Sequence, residues 1–371
     1  MKQNKIILTS NTSWYLYNFR LGLIKELINQ KNEIFIIAPL DNFSSKLEEL
    51  GCTFFPIEID NKGSNPIKDF SFFYCLRKIY KKVNPDIILH YTIKPVIYGS
   101  FAAQILSIPY INNITGLGTV FIDPNWITFF VKILYKKALF SSSYIFFQNQ
   151  DDYILFKKNK LISEFIPFSV IPGTGINLDK FKLSKYPKSS TLNFLFLGRI
   201  LKDKGFIEFV EVAKKIKSLS YDVNFEVLGY LNVENKTAIN KIQINDFEKK
   251  GYINYLGYSD NVIPFINDAS CVVLPSYREG LPKSLLEAAS IGRPIIATNV
   301  TGCKEIVFDG ENGFLCKPRN IEDLYQKILK FISLSYEERK KLGKNGREIM
   351  KRNFDEKKVV KKIINHINQI V

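Results

Sequence analysis

Glu279 and Glu287 stand with seven residues between them in the stretch 275–292, Pro-Ser-Tyr-Arg-Glu-Gly-Leu-Pro-Lys-Ser-Leu-Leu-Glu-Ala-Ala-Ser-Ile-Gly. The apolar run 271–274 ahead of it reads as a buried parallel strand. A tight loop and then a helix follow. Pro282 suits a first helical turn, where its missing N–H costs nothing. Glu279 therefore falls in the loop at the helix mouth, and Glu287 more than a turn inside. The free N–H groups and dipole of a helix start favour an anion. A carboxylate beside such an anion site is unfavourable unless donors approach it, and sugar and ribose hydroxyls are such donors. A plainer account exists for each residue alone. Glu279 can be a first-turn glutamate that suits the dipole, and Glu287 can pair with Lys283, four residues earlier, on an exposed face.

A second polar segment points to the same place. Gly198-Arg199-Ile200-Leu201-Lys202-Asp203-Lys204-Gly205 joins an expected strand to an expected helix. In open α/β sheets, ligands lie at the carboxyl ends of strands against helix N-termini. Arg199 would offer a fork to phosphate oxygens there, and Lys204 a point charge. Hydrogen bonds to charged groups are worth roughly 1.5–3 kcal/mol each, which matters for a diphosphate that gains charge as it leaves. The plain alternative is a surface loop rich in charge, as Lys202 and Asp203 beside it illustrate.

The elements that must carry these segments alternate. Strands are expected at 5–10, 34–38, 53–59, 86–91, 109–114 and 143–148, with a loop at 11–18. Helices are expected at 19–30, 70–83, 96–106 and 126–140. The stretch 170–179, with one proline and two glycines, reads as a linker. Alternation then resumes, with strands at 192–197, 223–228, 253–256, 271–274 and 295–298 and helices at 205–219, 336–352 and 355–371. This pattern predicts parallel, doubly wound sheets. No GxGxxG supports a dinucleotide site, and Gly116-Leu117-Gly118 alone marks a turn.

At 371 residues and 46% hydrophobic, the chain is long enough for two cores. Its net charge of +16 divides evenly, +8 over 1–185 and +8 over 186–371. No basic tail or block concentrates it, which argues against nucleic acid; an anionic membrane surface or a diphosphate fits better. Five cysteines without CxxC spacing and two histidines predict a reduced, cytoplasmic chain with no metal site. The absence of Asp-x-Asp agrees. There is no signal-peptide core and no apolar run of spanning length. Residues 126–140 and 70–83 interleave Trp, Phe and Tyr with Lys and Arg, a composition that suits the headgroup boundary as well as an ordinary core-facing helix.

Glu-x7-Glu with Gly-Leu-Pro after the first glutamate, together with Arg199 and Lys204, resembles the retaining GT-B glycosyltransferases of family four, the glycogen-synthase-like type. The resemblance implies an α/β fold of two Rossmann-like, doubly wound parallel-sheet domains with an inter-domain cleft. These would be an acceptor domain at 1–172, with the helix 355–371 packing back on it, and a nucleotide-sugar domain at 173–354. It implies Arg199 and Lys204 as the diphosphate pair, Glu279 on the donor sugar and Glu287 on the ribose. Gly280, Leu281 and Lys283 would approach donor sugar and phosphate, and Gly257-Tyr258 the base. Thr301-Gly302-Cys303-Lys304-Glu305 would be architectural. More loosely, Tyr17-Asn18-Phe19-Arg20, Lys94-Pro95 with Tyr98-Gly99-Ser100, and Asn113-Ile114-Thr115-Gly116 resemble enzymes acting on undecaprenyl-diphosphate-linked sugars. That places Arg20, Lys94, Thr115 and Gly116 at a lipid-linked saccharide acceptor. Two departures stand out: Asn11-Thr12-Ser13-Trp14 replaces the usual Gly-Gly pair, and Ile93-Lys94 replaces a histidine, with His90 nearby. The expected protein is a metal-independent hexosyltransferase, using a nucleotide sugar (UDP-linked by analogy), peripheral at the inner face of the cell membrane. The other readings are a GT-B UDP-sugar 2-epimerase and a non-enzymatic basic protein of membrane surfaces.

Overall fold

The computed structural model describes residues 3–60, 65–115, 126–219, 221–231, 235 and 237–371, with side chains in the helix opening at 126 described from 128 onward. The chain divides into two compact units: Met1–Thr174 with Glu356–Val371, and Gly175–Asp355.

The first unit runs β1 (Lys5–Thr9), α1 (Ser13–Asn29), β2 (Glu33–Ala38), α2 (Ser44–Glu48), β3 (Thr53–Pro56), α3 (Pro66–Val83) and β4 (Ile87–Tyr91). A π-helical turn, Pro95–Gly99, leads into α4 (Ser100–Ile105). β5 (Tyr110–Ile114), α5 (Trp126–Leu139), β6 (Tyr144–Phe147), α6 (Gln150–Lys158) and β7 (Phe168–Val170) follow. The strands form one parallel sheet ordered β3-β2-β1-β4-β5-β6-β7. Both faces are covered, so the strands are apolar throughout rather than alternating. In β1, Ile6 and Leu8 enter the core under α1, while Ile7 enters the one under α3 and α4.

The second unit runs β8 (Leu192–Leu197), α7 (Phe206–Lys217), β9 (Val223–Leu228), α8 (Lys241–Lys249), β10 (Asn254–Tyr255), α9 (Ile263–Asp268), β11 (Cys271–Leu274) and α10 (Lys283–Ile291). It continues with β12 (Ile295–Thr298), β13 (Gly313–Cys316), α11 (Ile321–Ser333) and α12 (Tyr336–Asn353). Its parallel sheet is ordered β10-β9-β8-β11-β12-β13. The winding reverses between β8 and β11, so a crevice opens at their carboxyl ends. The final helix, α13 (Glu356–Ile370), belongs to the first unit. Its Val359, Ile363, Ile364 and Ile367 recur at helical spacing and are buried beside α1. At about 1.5–3 kcal/mol per buried aliphatic side chain, these four contribute on the order of 10 kcal/mol to the part of the core beside α1.

Three expectations need correction. The stretch read as a loop at 11–18 is mostly helix: α1 starts at Ser13, with the Thr12 hydroxyl accepting from the Tyr15 amide at 3.0 Å. The cap and the burial of Leu16 override the modest helix propensity of Trp14, Tyr15 and Tyr17. The helix expected from 96 is α-helical only from Ser100. The elements α2, α6, β7, α8, α9, β13 and α11 are not among those the sequence pattern predicts, although Asn240 with Gln243 forms a capping box ahead of α8 and Asn320 caps α11.

His90 is a structural residue of the first unit. It is fully buried, with Nε2 3.0 Å from the Tyr80 hydroxyl and Nδ1 3.0 Å from Asn112 Oδ1. Asn112 Nδ2 donates to Ser100 and Ser142, both at 2.9 Å, which leaves its oxygen to accept from His90 Nδ1–H. Nε2 then accepts from Tyr80. Burial pushes the imidazole pKa down to about 3. The unfolded chain takes up this proton near pH 6.5, the folded one only near 3, so stability present above 6.5 is lost as pH falls through that window. Urea midpoints of the wild type should therefore drop more steeply between pH 6.5 and 4 than those of His90→Gln. Parallel slopes would place the acid sensitivity elsewhere.

Candidate functional site

The strand β11 is wholly buried, and the chain leaves its carboxyl end through Pro275–Leu281. Helix α10 begins at Lys283, so Pro282 is its N-cap rather than a first-turn residue. The Pro282 carbonyl accepts from the amides of Leu285 and Leu286 at 3.1 and 3.3 Å. Glu279 thus lies in the loop ahead of the helix start, and Glu287 inside the helix, as the spacing predicted.

The β8–α7 turn meets this loop directly. Lys204 Nζ forms an ion pair with Glu279 Oε1, both side chains being mostly buried. The same oxygen accepts from Ser276 Oγ at 2.7 Å, and Thr298 Oγ1 donates to the Ser276 carbonyl. The Tyr277 amide donates to the Asp203 carbonyl at 2.9 Å. Gly205, at φ +71°, brings the turn so close that a β-carbon would sit 2.0 Å from the Pro275 carbonyl oxygen. No other residue fits there. On the opposite side the Glu279 amide donates to the Thr301 carbonyl at 3.1 Å. Gly302, at φ +87°, would place a β-carbon 2.7 Å from that of Glu279. Thr301–Glu305 is thus packed against the loop, and Glu305 Oε2 accepts from the Gly302 amide at 2.6 Å. Cys303 is fully buried, and burial first, then the charge of Glu279, pushes its thiol pKa well up. It is no thiolate nucleophile.

Arg199 lies on the same turn as Lys204, is exposed, and has no side-chain partner among the described residues. Glu287 is 8% exposed. Burial pushes its carboxyl pKa up, while Lys283, 3.8 Å away, and Lys180 pull it back. The Lys283 pair anticipated from sequence therefore forms, on a buried face rather than an exposed one. At the carboxyl ends of β9 and β10, Gly257 accepts from the Gly229 amide at 2.9 Å. Tyr258 projects into solvent, its ring 5.5 Å from and edge-on to that of Tyr230, which is equally exposed. Nothing in the sequence singles out Tyr230, since a single tyrosine past a strand carries no pattern. Gly280 and Leu281 are half-buried in the loop. The carboxyl edge of this sheet therefore gathers the ammonium groups of Lys204 and Lys283, two carboxylates, an exposed guanidinium and an aromatic pair.

In the first unit the expected acceptor residues scatter. Arg20 is buried, 2% exposed, with its guanidinium carbon 4.4 Å from the Tyr91 ring centroid and Nη2 donating to the Tyr15 hydroxyl at 3.0 Å. Burial opposes its charge, and Tyr15, Tyr91 and Glu356 more than offset that. It holds the interior of its unit and is not presented at a surface. Lys94 is paired with Asp69 at 2.5 Å, and Tyr98 donates to the second oxygen of Asp69 at 2.8 Å. Thr115 is half-buried just past β5, and Gly116 lies outside the described residues. The aromatics of α3 divide between roles. Phe72 and Tyr80 are core, whereas Ile67, Phe70 and Tyr74 are exposed along one stripe. On α5, Phe129 and Phe130 are exposed and Tyr135 is buried. Among the described residues no helix is long and apolar enough to cross a membrane.

Residues 179–349 match the family described as Glycosyl transferases group 1, and residues 5–149 match Glycosyl transferase 4-like. The chain is similar to the N,N'-diacetylbacillosaminyl-diphospho-undecaprenol alpha-1,3-N-acetylgalactosaminyltransferase of Campylobacter jejuni: 31% identity over 335 residues, 84% of this chain and 85% of that one. It is also similar to the UDP-Gal:alpha-D-GlcNAc-diphosphoundecaprenol alpha-1,3-galactosyltransferase of Escherichia coli, with 28% identity over 281 residues, 71% and 70% of the two chains. The structure of Anabaena Alr3699/HepE in complex with UDP shares the fold, at TM-score 0.79 and 17% identity over 99% of this chain and 100% of that one. Two parallel-sheet units, a signature loop on the second of them and a relative aligned over most of both lengths lead to one assignment: the chain is a glycosyltransferase of the group 1, 4-like family, with the GT-B fold.

Proposed function

We propose that this enzyme transfers a hexose or N-acetylhexosamine from a nucleotide sugar, UDP-linked by analogy with its relatives, to an undecaprenyl-diphosphate-linked saccharide with retention at the anomeric carbon. The observation that carries this reading is the Lys204–Glu279 pair at the β8/β11 reversal. A cation and an acceptor carboxylate are fixed side by side where a diphosphate and its sugar would lie. Lys204 and Arg199 take the phosphates, Glu279 a sugar hydroxyl and Glu287 the ribose. The amides of Gly280, Leu281 and Lys283 approach the donor sugar and phosphate, and Gly257 and Tyr258 the base. In this scheme the acceptor oxygen attacks from the leaving-group side, and the departing phosphate takes its proton. The protein supplies positioning and charge stabilisation rather than a nucleophile. Supporting this, the thiol at the site is buried and protonated, and His90 is committed to the core.

Domain 1–172, with residues 355–371, holds the acceptor in this proposal, with Lys94 and Thr115 as its contacts. An anionic membrane surface at the inner face of the cell membrane is the place of work. The exposed Ile67, Phe70 and Tyr74 of α3 and Phe129 and Phe130 of α5 support it, as do Lys78, Lys81 and Lys82 further along α3. Each basic side chain near an anionic leaflet adds about 1 kcal/mol.

At saturating donor, Lys204→Ala and Arg199→Ala should each lower kcat roughly 10- to 100-fold, the loss of one charged hydrogen bond in the transition state. Turnover near wild type in both variants would remove the leaving-group role. In vesicle co-sedimentation, replacing Phe70, Tyr74, Phe129 and Phe130 with Ser should weaken binding to vesicles containing an anionic phospholipid several-fold, and salt should weaken what remains. Equal binding by this variant would exclude these helices as the membrane face. Raised melting temperatures with UDP-sugars but not GDP-sugars would fix the nucleotide.

A further inference from the structure

Glu208 invites the reading of a first-turn glutamate that merely suits the dipole of α7. Its surroundings argue otherwise. It is 8% exposed, and Oε1 accepts from the Tyr277 hydroxyl at 2.7 Å. Its other oxygen is buried with no hydrogen-bond partner among the described residues. A carboxylate so withdrawn from water has been committed to one donor. The Tyr277 ring is held on another side by Arg319, whose guanidinium carbon lies 4.6 Å from the ring centroid. Arg319 itself takes up φ +56°, rare for a side chain of this size, in the turn between β13 and α11. The Tyr277 amide is tied to the Asp203 carbonyl at 2.9 Å. Three segments therefore converge on one tyrosine, two residues before Glu279.

We infer that Tyr277 is a positioning residue for sugar transfer: clamped by Glu208 and Arg319, it fixes the loop so that Glu279 faces Lys204 at the angle the donor sugar requires. The Lys204–Glu279 pair and the Glu208–Tyr277 bond both join the α7 end of the β8–α7 connection to the loop after β11. Together they tie the loop at two points, Tyr277 and Glu279, two residues apart. Tyr277 touches neither sugar nor phosphate in this scheme and acts through Glu279. The inference rests on the reading of Glu279 as the sugar contact.

The test is a mutant cycle on purified full-length enzyme, with transfer kinetics and melting temperature read together. Tyr277→Phe should lower kcat about tenfold with KM for the nucleotide sugar changed less than threefold, the equivalent of one lost hydrogen bond to a charged group. Glu208→Leu should do the same, and Glu208→Gln, which keeps an acceptor oxygen for the hydroxyl, should recover most of the rate. Tyr277→Phe combined with Glu279→Ala should be no slower than Glu279→Ala alone, because both act through one group. Multiplying losses in that double variant, or a lowered melting temperature with unchanged kcat, would overturn the inference and leave Tyr277 a packing residue. If Glu279→Ala itself transfers at the wild-type rate, the sugar contact fails first. If it is crippled while Tyr277→Phe is not, only the positioning role fails. Should Tyr277→Phe not fold, the comparison of Glu208→Leu with Glu208→Gln decides alone.

Discussion

The second unit is built around one electrostatic constraint: an ammonium and a carboxylate, both largely removed from water, must stay together. Lys204 comes from the turn after β8 and Glu279 from the loop after β11, strands that lie side by side in the sheet. Leaving either charge buried alone costs several kcal/mol, so every contact that fixes the two segments also protects the pair. Gly205 lets the turn reach the Pro275 carbonyl, and Gly302 lets the next segment close against Glu279 from behind. The polar arrangement at the crevice is thus a consequence of backbone approaches that only glycine allows.

Much of this was legible in the sequence because it is local. Glu-x7-Glu, the strand before it and the basic turn at 198–205 each sit within a few residues of a recognisable element boundary. The parallel alternation followed from apolar runs such as 271–274 and 192–197, which both faces of a covered sheet demand. What stayed unread depends on contacts distant in sequence. That Glu208 serves Tyr277 across 69 residues, or that Tyr230 and Tyr258 share a surface, leaves no mark in either neighbourhood. The onset of α1 is set by the burial of Leu16, and burial is a tertiary property.

The first unit shows the same division. Arg20 sits in a segment that looks like a binding motif, yet its guanidinium is held between tyrosine rings inside the core. Lys94 retains a place near the carboxyl edge, with Asp69 and Tyr98 holding it. His90, the one histidine close to that edge, is spent on joining Tyr80 to Asn112.

The placement of α13 bears on how the chain comes to be folded. Residues 356–371 follow the whole of the second unit in sequence but complete the core of the first. During synthesis the amino-terminal sheet therefore emerges with part of its apolar surface uncovered, and it waits until about 180 further residues have been made. The carboxyl-terminal unit, continuous in sequence, can close earlier. A unit interrupted in sequence by its neighbour is completed only after that neighbour has been made, and a ribosome stalled near residue 350 would carry a chain in which the apolar residues that α13 covers on α1 still face water.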